Sequence, residues 1–173
     1  AAQNGGSGIT AEGDVNLEVN DRSGTGSLGS DDNALGITAG GTVSVTTGDG
    51  TQLENVNIES GGDLTVDSLE ATGEVNLTAK GHIKGSTDKE TADIIAPSAN
   101  IGSLNGNVGS PDDPLRTMLD KVSAYGQNVY LENLKNLTAD SIIAGGDPQE
   151  GNGNVDLTVD GDITGNGDPD RDD

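Results

Sequence analysis

The sequence predicts an all-β protein, a right-handed parallel β-helix (β-solenoid) of about eight coils at roughly 20 residues per coil. Three observations carry that expectation. Short Val, Leu and Ile strands alternate with polar residues and are closed by Gly, Asn or Asp. No stretch outside 114–122 carries a helical period. Finally, Gly73-Glu74-Val75-Asn76-Leu77-Thr78-Ala79-Lys80-Gly81-His82-Ile83-Lys84-Gly85 returns eighty residues later as Gly153-Asn154-Val155-Asp156-Leu157-Thr158-Val159-Asp160-Gly161-Asp162-Ile163-Thr164-Gly165. Such internal self-similarity is the signature of a repeat architecture.

The repeat extends well beyond that stretch. Val108-Gly109-Ser110-Pro111-Asp112-Asp113-Pro114-Leu115 lies eighty residues after Leu28 to Leu35. Leu137 to Ala144 matches Leu64 to Ala71 at an offset of 73, and a seven-residue excess within Gly145 to Gly153 restores eighty. The expected organisation is a flexible lead at 1–8, one domain at 9–165 made of two blocks (9–85 and 86–165), and an acidic tail at 166–173. Inward strands are read at Val15, Leu17 and Val19, then Val43 and Val45, Val56 and Ile58, Leu64 and Val66, and Val75, Leu77 and Ile83.

One segment is locally ambiguous. Asp113-Pro114 resembles an N-cap with Pro at N1, and Leu115, Met118, Leu119 and Val122 fall at helical spacing. Its repeat partner at Leu35 to Ala39 is too Gly-rich for a helix, so 114–122 is expected to be strand or irregular.

Composition bounds the chemistry. Only 30% of the 173 residues are hydrophobic, Phe, Trp and Cys are absent, and the aromatics are Tyr125 and Tyr130. A net charge of −22, from 8 Lys and Arg against 30 Asp and Glu, opposes nucleic acid and anionic membranes as partners. That charge with so few apolar residues would suit disorder. The alternating pattern argues instead for a thin fold with a narrow apolar column. No apolar run reaches the roughly 18 residues of a membrane span.

The motifs Gly73-x-Val75-x-Leu77 and Gly81-x-Ile83-x-Gly85 are similar to those of filamentous-haemagglutinin-like large bacterial exoproteins and adhesins. So are Ile101-Gly102, the block Val108 to Leu115, and Asn128-Val129-Tyr130-Leu131. The resemblance implies a repetitive right-handed β-helical shaft and a secreted or cell-surface location. It implies a role in adhesion, biofilm or contact-dependent competition, and it carries over no catalytic residue.

Candidate chemistry is sparse. His82 is the single histidine, and the repeat places Asp162 at its position, which reads as a surface residue rather than a ligand or base. With no Cys, neither a thiolate metal site nor a Ser-His-Asp centre has the material it needs beyond that histidine. Arg22, Arg116 and Arg171 are scattered, and the sequence shows no aromatic platform for sugar stacking. Calcium is the better hypothesis. Asp160-Gly161-Asp162-Ile163-Thr164-Gly165 places oxygen donors at positions 1, 3 and 5 and Gly at 6 of an EF-hand-like loop, but Arg171 stands at position 12. Asp168 and Asp170 add alternating oxygens, and Asp31-Asp32 and Asp112-Asp113 form equivalent repeat loops. Solvated acidic turns are the plainer reading of each.

The expectation is therefore a non-catalytic structural shaft segment that requires no cofactor. Its partners would be like subunits or neighbouring repeats end to end, or a host or matrix glycan or protein. The contrasting expectations are a carbohydrate- or calcium-binding β-solenoid module and a β-helical polysaccharide-acting enzyme.

Overall fold

A computed structural model describes residues 8–20, 26–30, 34–39, 42–48, 53–87, 91–145 and 153–165. The expected lead at 1–8, apart from Gly8, and the expected tail lie outside them. The first block carries β1 (Ile9–Ala11), β2 (Val15–Val19), β3 (Leu35–Ala39), β4 (Val43–Thr47) and β5 (Val56–Ser60). It continues with β6 (Leu64–Asp67), β7 (Leu69–Glu70), β8 (Glu74–Ala79) and β9 (Ile83–Lys84). The second block carries β10 (Ile94–Ser103), β11 (Leu115–Gly126), β12 (Val129–Asn133), β13 (Leu137–Ala144), β14 (Val155–Val159) and β15 (Ile163–Gly165). No helix occurs among the described residues, and the ambiguous segment at 114–122 is strand from Leu115 onward. In β11, Leu115, Thr117, Leu119, Val122 and Ala124 are buried, so the sheet claims side chains that helical spacing would also have grouped.

The expected single right-handed β-helix is not the architecture. All strands pair in parallel, but they divide into an 11-stranded sheet and a 4-stranded sheet. The smaller runs β2-β4-β6-β9, and the larger runs β1-β3-β5-β8-β10-β11-β12-β14 with β7, β13 and β15 branching from it. The physical reason lies in β10 and β11, which are 10 and 12 residues long. Strand β10 pairs with both β7 and β8, and β11 with both β12 and β13, so each joins ladders that a regular coil would keep apart. Spacing is irregular too: Leu115 pairs with Leu131, sixteen residues on, whereas Val15 pairs with Val43, twenty-eight on. The result is a two-sheet parallel β sandwich.

One core holds both sheets and both blocks. Buried Val15, Val43, Val45, Leu64, Val66 and Ile83 of the small sheet join Ile58, Leu77, Ile101, Leu119 and Leu131 of the large one in a single cluster. Alternation explains this: β8 buries Val75, Leu77 and Ala79 and turns Glu74, Asn76 and Thr78 outward. Parallel pairing stacks apolar on apolar along the core, as with Val56 and Ile58 against Val75 and Leu77.

The repeat is structural as well as sequential. Gly29 and Gly109, eighty residues apart, both adopt positive φ (72° and 67°), and at each an added Cβ would strike the backbone of the next strand. Asn57 N–H donates to the Leu28 carbonyl at 2.6 Å, and Tyr130 N–H donates to its counterpart Val108 at 2.8 Å. Leu64 N–H donates to His82 O and Leu137 N–H to Asp162 O, at 2.8 and 2.9 Å.

The copies nevertheless occupy exchanged columns. Val15, Val43, Leu64, Ile83, Val108, Val129 and Val155 form one paired file, so β12 and β14 stand over β6 and β9. Their sequence counterparts in the first block are instead β5 and β8, whose ladder continues through β10 and β11 to β13 and β15. From Val15 to Val155 are six steps of about 23 residues each. Eighty residues is about three and a half such steps, and the half step carries each motif to the other column.

Candidate functional site

The polar side of the small sheet holds the richest set of functional groups. Ser44, Thr65 and Lys84 are register partners on β4, β6 and β9 and point outward beside Asp67. With Ser86 and Asp113 they line an open groove of about 450 Å³. Lys84 is held by Asp63, whose Oδ1 accepts the His82 N–H at 2.8 Å while Oδ2 meets Lys84 Nζ at 3.3 Å. Burial works to raise the Asp63 carboxyl, but the His82 N–H and the Lys84 ammonium outweigh it and hold the group below its usual value.

Bonded to Ser86 of this groove is Asp93, 3% exposed. Its Oδ1 accepts the Ser86 N–H at 2.7 Å and its Oδ2 the Arg116 N–H at 2.8 Å, so it ties the segment after β9 to the start of β11. Burial pushes this carboxyl up to about 6 against those two donors, and the Asp113 and Asp67 carboxylates add repulsion. A carboxyl titrating there is suited to proton exchange, yet both oxygens are engaged by main chain. It acts as a clamp.

A file of polar side chains runs beside the apolar file Val15 to Val155, one residue before each member. Asp14 Oδ1 accepts the Thr42 N–H at 2.8 Å. Two steps on, Asp63 accepts from His82 as above, and His82 Nδ1 accepts the Asn107 N–H at 3.0 Å. Asn128 Nδ2 donates to Asn107 Oδ1 at 3.0 Å, and Asn128 Oδ1 accepts the Asn154 N–H at 2.9 Å. His82 is thus more than a surface residue, because it occupies an acceptor position filled at most other steps by Asn or Asp. The same device appears where Asn55 receives Glu74 and Asn136 receives Asp162. On the outer face of the large sheet, Asn57, Asn76 and Asn100 form an amide ladder at 2.7 Å per step.

Of the calcium candidates, Asp112, Asp113, Asp160 and Asp162 fall among the described residues and do not converge on one point. Asp31, Asp32, Asp168 and Asp170 lie outside the described residues. Asp112 and Asp113 sit in a turn closed by Ser110, whose carbonyl and Oγ both accept the Asp113 N–H. Asp160 and Asp162 are exposed, and their N–H groups donate to the Asn133 carbonyl and to Asn136 Oδ1. Among the described residues no three His or acidic side chains converge on one point.

Sequence reasoning missed several groups. Asp93 belongs to no motif. Asn133 is fully buried, and its Oδ1 accepts from both Leu119 N–H and Thr117 Oγ1 while Nδ2 donates to the Leu119 and Lys135 carbonyls. The Tyr125 ring fills the space that a side chain at Gly102 would occupy, and it forms an exposed apolar patch with Leu104 and Ile143. The polar file was legible in principle, since Asp, His or Asn precedes the apolar residue at most steps. No family model, curated protein or solved structure matches the chain.

Proposed function

We propose that the chain is a non-catalytic structural spacer of a secreted or surface-displayed bacterial exoprotein of the filamentous-haemagglutinin-like kind. The observation that carries this reading is the paired file from Val15 to Val155, which passes through both blocks without a break beside its own polar ladder. Each step is bonded to the next through main chain and, at most steps, through a side-chain acceptor. Each further paired step adds one strand spacing along the file. The quoted glycine-bracketed motifs support the extracellular assignment.

Duplicating block 86–165 within the chain tests the reading. Three and a half further steps at the strand spacing should lengthen the particle by about 17 Å in small-angle scattering. An unchanged maximum dimension would contradict it.

A second reading, a module binding a polyhydroxylated ligand, is favoured by the hydroxyl, carboxylate and ammonium groups that converge on the groove at Ser44, Thr65, Asp67 and Lys84. Calorimetric titration with glycans separates the two. The spacer gives no saturable heat, and a saturable isotherm lost in Lys84→Ala would favour the binding module.

A further inference from the structure

We infer that Tyr125 is a stacking platform for a neutral sugar ring on the outer face of the large sheet. Register sets Thr78, Gly102, Tyr125 and Ile143 side by side in one outward row. A Cβ added at Gly102 would meet Cζ, Cε1 and Oη of Tyr125, with Cζ nearest, which places it over the plane of the ring rather than at its rim. The ring therefore lies face-down on the glycine, and Gly102 is buried although it belongs to an outward row. The other face of the ring is open, with Tyr125 41% exposed. Leu104 and Ile143, both about half exposed, stand beside it around a cavity of about 300 Å³.

The surroundings of the ring select the ligand. No residue lining the cavity is charged, in a chain of net charge −22. A cationic partner finds nothing to pair with here, and the chain as a whole repels an anionic one. Polar groups at the patch are unclaimed. Among the described residues neither Tyr125 Oη nor the Gln127 side-chain amide makes a hydrogen bond. The amide ladder of Asn57, Asn76 and Asn100 ends two residues before Gly102, about 7 Å away along the strand. Asn100 gives its Nδ2 hydrogens to Asn76 Oδ1 and Glu74 Oε1, while its own Oδ1 accepts none. An apolar plane edged by free donors and acceptors matches a pyranose, which has C–H bonds on its face and hydroxyls around its edge. The weakly positive C–H groups meet the negative face of the phenol ring, and the hydroxyls meet Tyr125 Oη, Gln127 and Asn100. An apolar peptide or acyl chain would cover those polar groups without satisfying them.

This site lies apart from the groove on the small sheet, and the inference goes beyond the spacer reading without depending on it. One ring and a few hydrogen bonds hold a ligand at about millimolar strength, too weakly to saturate a calorimetric titration. The readout is therefore saturation-transfer NMR on the intact chain, with methyl β-glucoside, methyl β-galactoside and glucuronate as probes. A neutral glycoside should receive saturation at the C–H protons of one ring face, and glucuronate about fivefold less. Tyr125→Leu keeps the patch apolar but removes the π face, and should reduce the signal about fivefold, whereas Tyr125→Phe retains most of it. Gln127→Ala, at an exposed position outside the core, should weaken it about threefold, and thermal melting confirms that each variant is folded. No transfer to either glycoside, or an undiminished signal in Tyr125→Leu, would overturn the inference. A signal lost in Lys84→Ala but kept in Tyr125→Leu would place the sugar in the other groove and overturn it too. Stronger transfer to an apolar Leu-Pro-Leu peptide than to either glycoside would assign the patch to protein docking instead.

Discussion

The rung Glu74 to Lys84 and the rung Asn154 to Thr164 share a sequence pattern and hydrogen bonds to the preceding strand, yet one is core and the other is surface. Val75, Leu77 and Ile83 are at most 1% exposed, whereas Val155 and Ile163 are about half exposed. The local pattern fixes strand, turn and inward direction in both. Burial comes from the next rung. Stability in such a stack is thus a property of neighbours, and equivalent residues should differ in worth according to what covers them.

Paired truncations give the largest expected effect. Ile83→Ala should cost about 2–5 kcal/mol in urea denaturation, the range for emptying a closed core site. Its counterpart Ile163→Ala should cost under about 1 kcal/mol, since half of that side chain is already in water. Equal losses would break the comparison.

A second pair sharpens it. Asn133 corresponds to Ser60 at an offset of 73, and both are buried at the end of a strand. Ser60 Oγ bonds within its own turn, to the Asp63 carbonyl and the Gly62 N–H, whereas Asn133 reaches across the interior to Thr117 and Leu119. Asn133→Ser strands those groups and should cost about 1–3 kcal/mol. Ser60→Ala should fall at the lower end of that range, measured by the shift in denaturation midpoint.

Much of this was legible in the sequence, and the limits are physical. Alternation located the strands around Val15, Val43, Val56, Leu64 and Val75 within a residue or two, and the repeat partner of 114–122 pointed away from helix. A Val-x-Leu-x-Val strand has the same period whichever column it joins, so the exchange of columns could not be read from it. The division into two sheets depends on how far β10 and β11 run, which tertiary pairing sets. Asp93 was invisible because its role comes from distant N–H groups rather than from neighbours in sequence. The acidic loops were legible as acidic, and their lack of convergence among the described residues required coordinates.

The two carboxylates near the groove should respond to pH with opposite signs. Asp93 has a folded value of about 6 against an ordinary 3.8, so the folded chain holds that proton more tightly. Its contribution is complete below the ordinary value and is lost as pH rises to about 6. Asp63 is held low, so its contribution is present above 3.8 and is lost as pH falls below it. Melting temperature followed from pH 3 to 8 in Asp93→Asn should lack the decline between about 4 and 6 that the parent chain shows. A parent-like decline in the variant would assign that titration elsewhere.

The smallest effect is expected at the surface. The Lys84–Asp63 ion pair of the first block is replaced in the second by Thr164 and Asn136, with Thr164 Oγ1 at 3.0 Å from Thr138 Oγ1. Lys84→Thr should therefore cost under about 1 kcal/mol and reduce the salt sensitivity of unfolding. A larger loss would mean that the groove stabilises the first block in a way the second does without.

The central claim is that equivalent rungs differ through what covers them, and amide hydrogen exchange on dilute, monomeric chain tests it most directly. The Ile83 N–H, bonded to Asn107 O at 2.9 Å, should exchange slowly, at a rate set by opening of the core. The Ile163 N–H, at the same place in the second copy, should exchange orders of magnitude faster. Equal protection at the two positions would contradict the account.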